Sequence, residues 1–155
     1  HWDNIQARLG PNQSVHSMVD GPTEAVDQEL TENNRAFVRA FVETVLVDGQ
    51  LGQLTDYIDD GKYVEYNPRL ADGASALRGE FEGADNGLRH IDYQRVHRVL
   101  AEGNFVLSIS EGEFKGTHSA FYDLFRVDRG KLVEHWDTTE KIAPQSEWKN
   151  SNGKF

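Results

Sequence analysis

Hydrophobic positions follow a helical period in the first half of the chain and a strand period in the second. Phe37, Val38, Phe41, Val42, Val45 and Leu46 recur at helical spacing behind Thr31, whose hydroxyl suits a helix N-cap, and Asp48-Gly49 supplies a stop. This pattern predicts the main core helix. Leu51, Leu54, Tyr57 and Ile58 predict a short second helix, and residues 74–81 a third after the Asp72-Gly73 turn, with a short strand at residues 62–68 between them. From residue 91 onward the alternation predicts four strands, at residues 91–100, 105–113, 118–127 and 131–139. Glu102-Gly103-Asn104 and Asp128-Arg129-Gly130 hold residues that tolerate positive φ, so consecutive strands should pair antiparallel through tight hairpins. Helices followed by a meander read as an α+β domain.

Residues 1–30 mix Asn, Gln, Ser, Gly and Pro without a sustained period, as an extended arm does. The expected organisation is therefore an N-terminal arm at residues 1–30, one domain at 31–144 and a C-terminal tail at 145–155. A chain of 155 residues has room for one sizeable core, and its 37% hydrophobic content exceeds what a disordered chain carries. His1-Trp2-Asp3 repeats His135-Trp136-Asp137, which reads as the tail of a preceding duplicated domain or the trace of a tandem ancestor.

Charge and composition remove several function classes. Sixteen Lys and Arg against 26 Asp and Glu give a net charge of −10, which repels phosphate backbones and anionic lipid, so neither nucleic acid nor membrane is an expected partner. The absence of cysteine excludes disulfides, thiolate catalysis and cysteine-ligated metals. No apolar run approaches the roughly 18 to 20 residues that a spanning helix needs. The start is polar and is not Met, so a trimmed or processed leader stays open, and the expected location is cytoplasmic. There is no Gly-rich phosphate loop, no His-Glu-x-x-His and no Gly-x-Ser-x-Gly elbow, and the histidines lack the third ligand of a metal site.

Alternation places the candidate chemistry on the last two strands. Phe121, Asp123, Phe125 and Val127 should share one face, as should Val133, His135 and Asp137. The apolar members mark that face as internal, so the hairpin at residues 119–139 is expected to line an apolar pocket. A carboxyl desolvated there rises toward neutral pH and becomes a usable acid or base, and Asp137 is the foremost candidate. Trp136 and Arg126 fall on the other face, Trp136 against the core helix or a subunit interface. His97 and His118 lie on strands without a clear facing; His97 is kept as a candidate ligand contact.

The stretch Phe121-Tyr122-Asp123-Leu124-Phe125-Arg126-Val127, followed by Gly130-Lys131-Leu132-Val133-Glu134-His135-Trp136-Asp137, resembles the SnoaL-like polyketide cyclase family. Tyr66-Asn67-Pro68, Ala71-Asp72-Gly73 and Leu100-Ala101-Glu102-Gly103-Asn104-Phe105 extend the likeness over roughly residues 31–144, and within the family the chain is most similar to the SnoaL-like aldol-condensation proteins. The resemblance implies a cone of curved antiparallel sheet closed by helices, the fold of nuclear transport factor 2 and ketosteroid isomerase. It also implies a homodimer that needs no cofactor and a small apolar carbonyl compound as ligand. In residues, it implies Asp137 as the proton carrier, His135 and Asp123 as its catalytic neighbours, and Asn67, Tyr66, Phe121 and Phe125 as substrate contacts. Many of the similar proteins read His-Asn-Pro where this chain reads Tyr66-Asn67-Pro68, which removes a candidate base or shuttle.

Three functions compete. The first is a cofactor-independent lyase or isomerase of the aldol-cyclase type, with Asp137 as general acid/base. The second is a non-catalytic domain that binds a hydrophobic ligand or dimerises, which the Tyr66 departure favours. The third is an epoxide hydrolase in which acids and an arginine activate water, with Arg95, Arg98 and Arg126 available.

Overall fold

In the computed structural model, which describes residues 7–85 and 88–155, α1 (Thr31–Phe41) runs on through a wider π-type stretch, Val42–Val47, as the core helix that the periodicity predicts. Val38, Phe41, Val42 and Val45 are completely buried, and Gly49, at φ 69°, turns the chain away. Thr31 is not the cap. A single 3-10 turn (Gln28–Leu30) precedes it, so its backbone is already helical. Its hydroxyl instead donates to the Gln28 carbonyl and accepts the Gly103 N–H, tying the helix to a hairpin.

Next come α2 (Leu54–Tyr57), β1 (Val64–Glu65) and α3 (Ala74–Glu82), close to the expected positions. A small antiparallel pair, β2 (Ala84–Asp85) with β3 (Leu88–Arg89), was not expected. The four long strands are β4 (Ile91–Glu102), β5 (Phe105–Phe114), β6 (Thr117–Asp128) and β7 (Lys131–Lys141). They form one open sheet in the order β1-β7-β6-β5-β4, in which β1 runs parallel to β7 and every other pair is antiparallel. The hairpin turns use left-handed residues where the sequence offers them: Gly103, Lys115-Gly116 and Arg129-Gly130.

The helices cover one face of this sheet. Phe41 meets Phe125 edge to face at 5.5 Å, and burying such side chains stabilises the fold by roughly 1.5 to 3 kcal/mol each. Two register shifts in β4 bend the sheet around the core. Gly112 lies opposite the first of them, where a Cβ would stand only 2.0 Å from the Asp92 carbonyl, so only glycine lets the strands approach this closely. An α+β cone built on this sheet is therefore what the structure shows.

The arm before α1 is docked along the sheet edge. Asn12 is buried and donates its side-chain N–H to the Glu65 carbonyl, while its own side-chain oxygen accepts the Ser14 and His16 N–H groups. Asp72 completes the seal, accepting the Glu65 N–H at 2.9 Å and pairing with His16 at 3.1 Å. An edge strand of two residues thus has both Glu65 backbone groups occupied. The tail returns over the outer face, where Lys154 bonds Glu140 and the Phe155 ring stacks on His97. The His1-Trp2-Asp3 echo lies outside the described residues. Among those residues no helix is long and apolar enough to cross a membrane.

Candidate active site

β1 and β7 run side by side in register, with Glu65 opposite His135, so alternation sends Glu65, Asn67, His135 and Asp137 to the covered face together. β6 brings Asp123 to the same place, since Asp123 and Asp137 are direct partners across the β6–β7 pair. The result is a buried polar cluster within the apolar core.

His135 is its centre. Its Nδ1 lies 3.1 and 3.0 Å from the two Glu65 oxygens, and its Nε2 lies 3.2 Å from Asp123 Oδ1. Burial by itself pushes the imidazole toward neutrality, but the Glu65 and Asp123 carboxylates outweigh it and raise His135 well above an ordinary histidine. Each ring nitrogen thus faces a carboxylate oxygen, an arrangement that favours a proton on both. The Phe125 ring stacks on the imidazole at 4.7 Å and closes its open face.

Two tyrosines hold the carboxylates. Tyr63 donates its hydroxyl to Glu65 at 3.1 Å, and Tyr93 donates to both Asp123 oxygens at 3.0 and 3.1 Å. Burial and the adjacent carboxylates raise both phenols well above their ordinary value, so they remain donors. Tyr93 in turn stacks on Phe121 at 4.4 Å. Phe121 and Phe125 are thus packing partners of the polar cluster.

Asp137 stands at the rim of the cluster with 14% of its side chain exposed. Asn67 donates to its Oδ2 at 2.9 Å, and Arg69 Nη2 approaches the same oxygen to 3.7 Å. Burial raises the Asp137 carboxyl to about 6; His135 pulls it down, Glu65 and Asp123 push it further up, and Arg69 pulls it down again. A carboxyl in that range exchanges protons close to neutral pH.

Of the residues expected from the sequence, the structure brings together Asp123, His135, Asp137 and Asn67. It does not place Tyr66 or His97 with them. Tyr66 alternates with Glu65 and Asn67, so it points to the outer face, where it stacks on Trp136 at 4.5 Å and donates to Glu134. His97 sits in the second β4 register shift, which turns it outward to Glu111 at 2.8 Å and under the Phe155 ring. Trp136 is also on the outer face, as its parity requires, but it meets the arm and not α1. Its ring N–H donates to the Asp20 carbonyl, because α1 covers the opposite side of the sheet. Arg126 pairs with Glu134 on that outer face.

Asn67 and Arg69 make the immediate surroundings of Asp137 polar. One cavity of about 290 Å³ lies between the core helix and α3, and another of about 400 Å³ between the arm and the outer sheet face at Trp136. Glu65 and Arg69 were missed. The signal for Glu65 was its spacing of two from Asn67, which puts both on one strand face. Arg69 follows the strand, and no period reaches it.

No protein-family model and no curated protein matches the chain. Solved structures do. A candidate ketosteroid isomerase from Kribbella flavida superposes with TM-score 0.63 at 12% identity, covering 81% of this chain and 94% of that one. A candidate SnoaL-like polyketide cyclase from Jannaschia gives 0.53 at 15%, over 77% and 92%. An LEH-like epoxide hydrolase from M. tuberculosis gives 0.51 at 20%, over 71% and 84%. At these identities the likeness speaks for architecture, and together with the order of strands and the covering helices it means that this chain has the nuclear transport factor 2-like fold.

Proposed function

We propose that the protein is a cofactor-independent lyase or isomerase in which Asp137 moves a proton on a small carbonyl compound. The observation that carries this reading is a rim carboxyl raised to about 6, held by Asn67 and faced by Arg69. As a carboxylate, Asp137 removes a proton from the carbon beside the carbonyl. The C–H electron pair becomes the carbon–carbon double bond of the enolate, the carbonyl π pair moves onto the oxygen, and the Arg69 guanidinium compensates the developing charge. In an isomerase, protonated Asp137 returns the proton to another carbon. In an aldol closure, the enolate carbon attacks a second carbonyl and Asp137 protonates the new alkoxide. Positioned acid/base help of this kind contributes about 10² to 10⁴-fold.

The buried carboxylates favour a neutral substrate whose reacting oxygen faces the Arg69 rim. Ser108 and Ser110 hydroxyls are completely buried on the covered face beside Asp123 and Phe121 and have no hydrogen-bond partner among the described residues. Deuterium exchange into a panel of small ketones, followed by proton NMR, tests the reading. Exchange in the native protein that disappears in Asp137→Asn is expected; exchange unaffected by that substitution removes Asp137 from the mechanism.

A second reading is a non-catalytic domain that binds a hydrophobic ligand or a second copy of itself on the outer sheet face. The half-exposed Leu100 and the cavity of about 400 Å³ beside Phe105, Leu124 and Trp136 favour it. Native mass spectrometry separates the two: a retained apolar molecule or a stable dimer, with no ketone exchange, supports the second.

A further inference from the structure

Glu65 is completely buried and yet accepts from three directions. Its Oε2 takes the Tyr63 hydroxyl and, with Oε1, the His135 Nδ1–H; its Oε1 also takes the backbone N–H of Asn67 at 3.0 Å. The Asn67 side chain then reaches Asp137, and its Oδ1 accepts the Arg69 N–H at 2.8 Å. One carboxylate therefore joins the imidazole to the short segment that carries both the donor and the cation facing Asp137.

We propose that Glu65 is the positioning residue of this site: it fixes His135 as a standing imidazolium and fixes the backbone from which Asn67 addresses Asp137. The second half rests on the proton-transfer reading above; the first half does not.

The charges around the ring fit this role. Glu65 faces it from β1 and Asp123 from β6, Asp137 lies beyond it on β7, and Tyr63 and Tyr93 back the two carboxylates as neutral donors. Arg69 is the cation at the rim, 3.7 Å from Asp137. With two carboxylates bonded to its two nitrogens, His135 has a partner for a proton on each. Removing one of them while keeping the side-chain volume leaves Asp123 alone to hold the charge against burial. His135 is then a fixed charge, and Asp137 is the group that exchanges protons with substrate.

The test is nitrogen-15 NMR of the histidine ring and of the Asn67 side-chain amide, followed across pH in the native protein and in Glu65→Gln. In the native protein both His135 nitrogens should remain protonated above the ordinary histidine midpoint. The Asn67 amide should shift with an inflection as Asp137 titrates. In Glu65→Gln the His135 midpoint should fall by roughly one to three pH units, and the Asn67 amide should lose its inflection. A neutral His135 in the native protein near neutral pH overturns the imidazolium, and this measurement decides even if Glu65→Gln does not fold. An unchanged midpoint in a folded Glu65→Gln overturns it too. An Asn67 amide that keeps its inflection in the variant overturns the positioning of Asp137. Loss of ketone exchange in Asp137→Asn is scored separately, so failure of the catalytic reading is distinguishable from failure of this one.

Discussion

Asn67 and Asp137 are 70 residues apart in the chain and joined by a hydrogen bond of 2.9 Å in the fold. The bond connects the end of an edge strand to the last strand of the sheet. It exists because β1 lies parallel to β7 with Glu65 opposite His135, so the next inward residue on each strand is Asn67 and Asp137. Removing the donor leaves a desolvated carboxylate short of a partner. Asn67→Ala should lower ketone exchange roughly 10- to 100-fold, matching the loss of one hydrogen bond to a charged group. Its pH profile should shift to higher pH, which a rate titration checks.

Asp137 also carries a cost to stability that its removal should reveal. Its carboxyl rises from 3.8 to about 6 on folding, so the native state holds the proton more tightly than the unfolded state. That stabilises the fold at acid pH, and the advantage is lost as pH rises through about 6. Asp137→Asn should therefore abolish exchange while raising stability at about pH 8 by on the order of 2 kcal/mol, with little effect near pH 4. Urea unfolding at the two pH values measures it. His135 acts in the same sense: it is raised on folding, so its contribution is present below the ordinary histidine midpoint and declines as pH climbs through the higher folded value.

Ser108 and Ser110 are buried hydroxyls without a hydrogen-bond partner among the described residues. A hydroxyl in that position costs desolvation and returns nothing to the empty protein. Ser110→Ala should leave the melting temperature equal or higher, by up to about 1 kcal/mol of stability. If the pair serves a substrate, the same variant should raise KM with little change in kcat.

Tyr66 is the position where this chain departs from the His-Asn-Pro of the proteins it resembles. Since its ring lies on Trp136 across the sheet from Asp137, restoring that histidine should not restore or improve chemistry. Tyr66→His is expected to leave ketone exchange unchanged and to lower stability through loss of the stack and of the Glu134 bond. A rate increase in this variant places a base at position 66 after all.

The reading of Tyr66 shows where the sequence was legible and where it was not. Period-two alternation over β6 and β7 put Asp123, His135 and Asp137 on one face correctly, because the β6–β7 register is unbroken from Arg126 opposite Glu134 to Ser119 opposite Lys141, and the shift at Val127 falls just outside that stretch. The same rule applied to residues 62–68 would have turned Tyr66 outward and brought Glu65 in. The strand pairs over only two residues, too few to show a period. His97 failed for a different reason: a register shift breaks alternation at that residue, and nothing in a single sequence marks it. The nature of the wall was also hidden. The phenylalanines mark the apolar interior, but the polar cluster inside it also draws on Tyr63, Glu65 and Tyr93 from other strands and loops, whose convergence depends on the tertiary fold.

The docked arm makes the site dependent on residues far from any chemistry. Asn12 and the Asp72 loop are what occupy the free edge of β1, and β1 presents Glu65 and Asn67. A protease cut between residues 12 and 27 would leave every catalytic candidate in place and still unfasten the strand that aims them. Inactivation by such a nick, with the melting profile of the remaining domain nearly intact, would make the arm a built-in point of control over turnover.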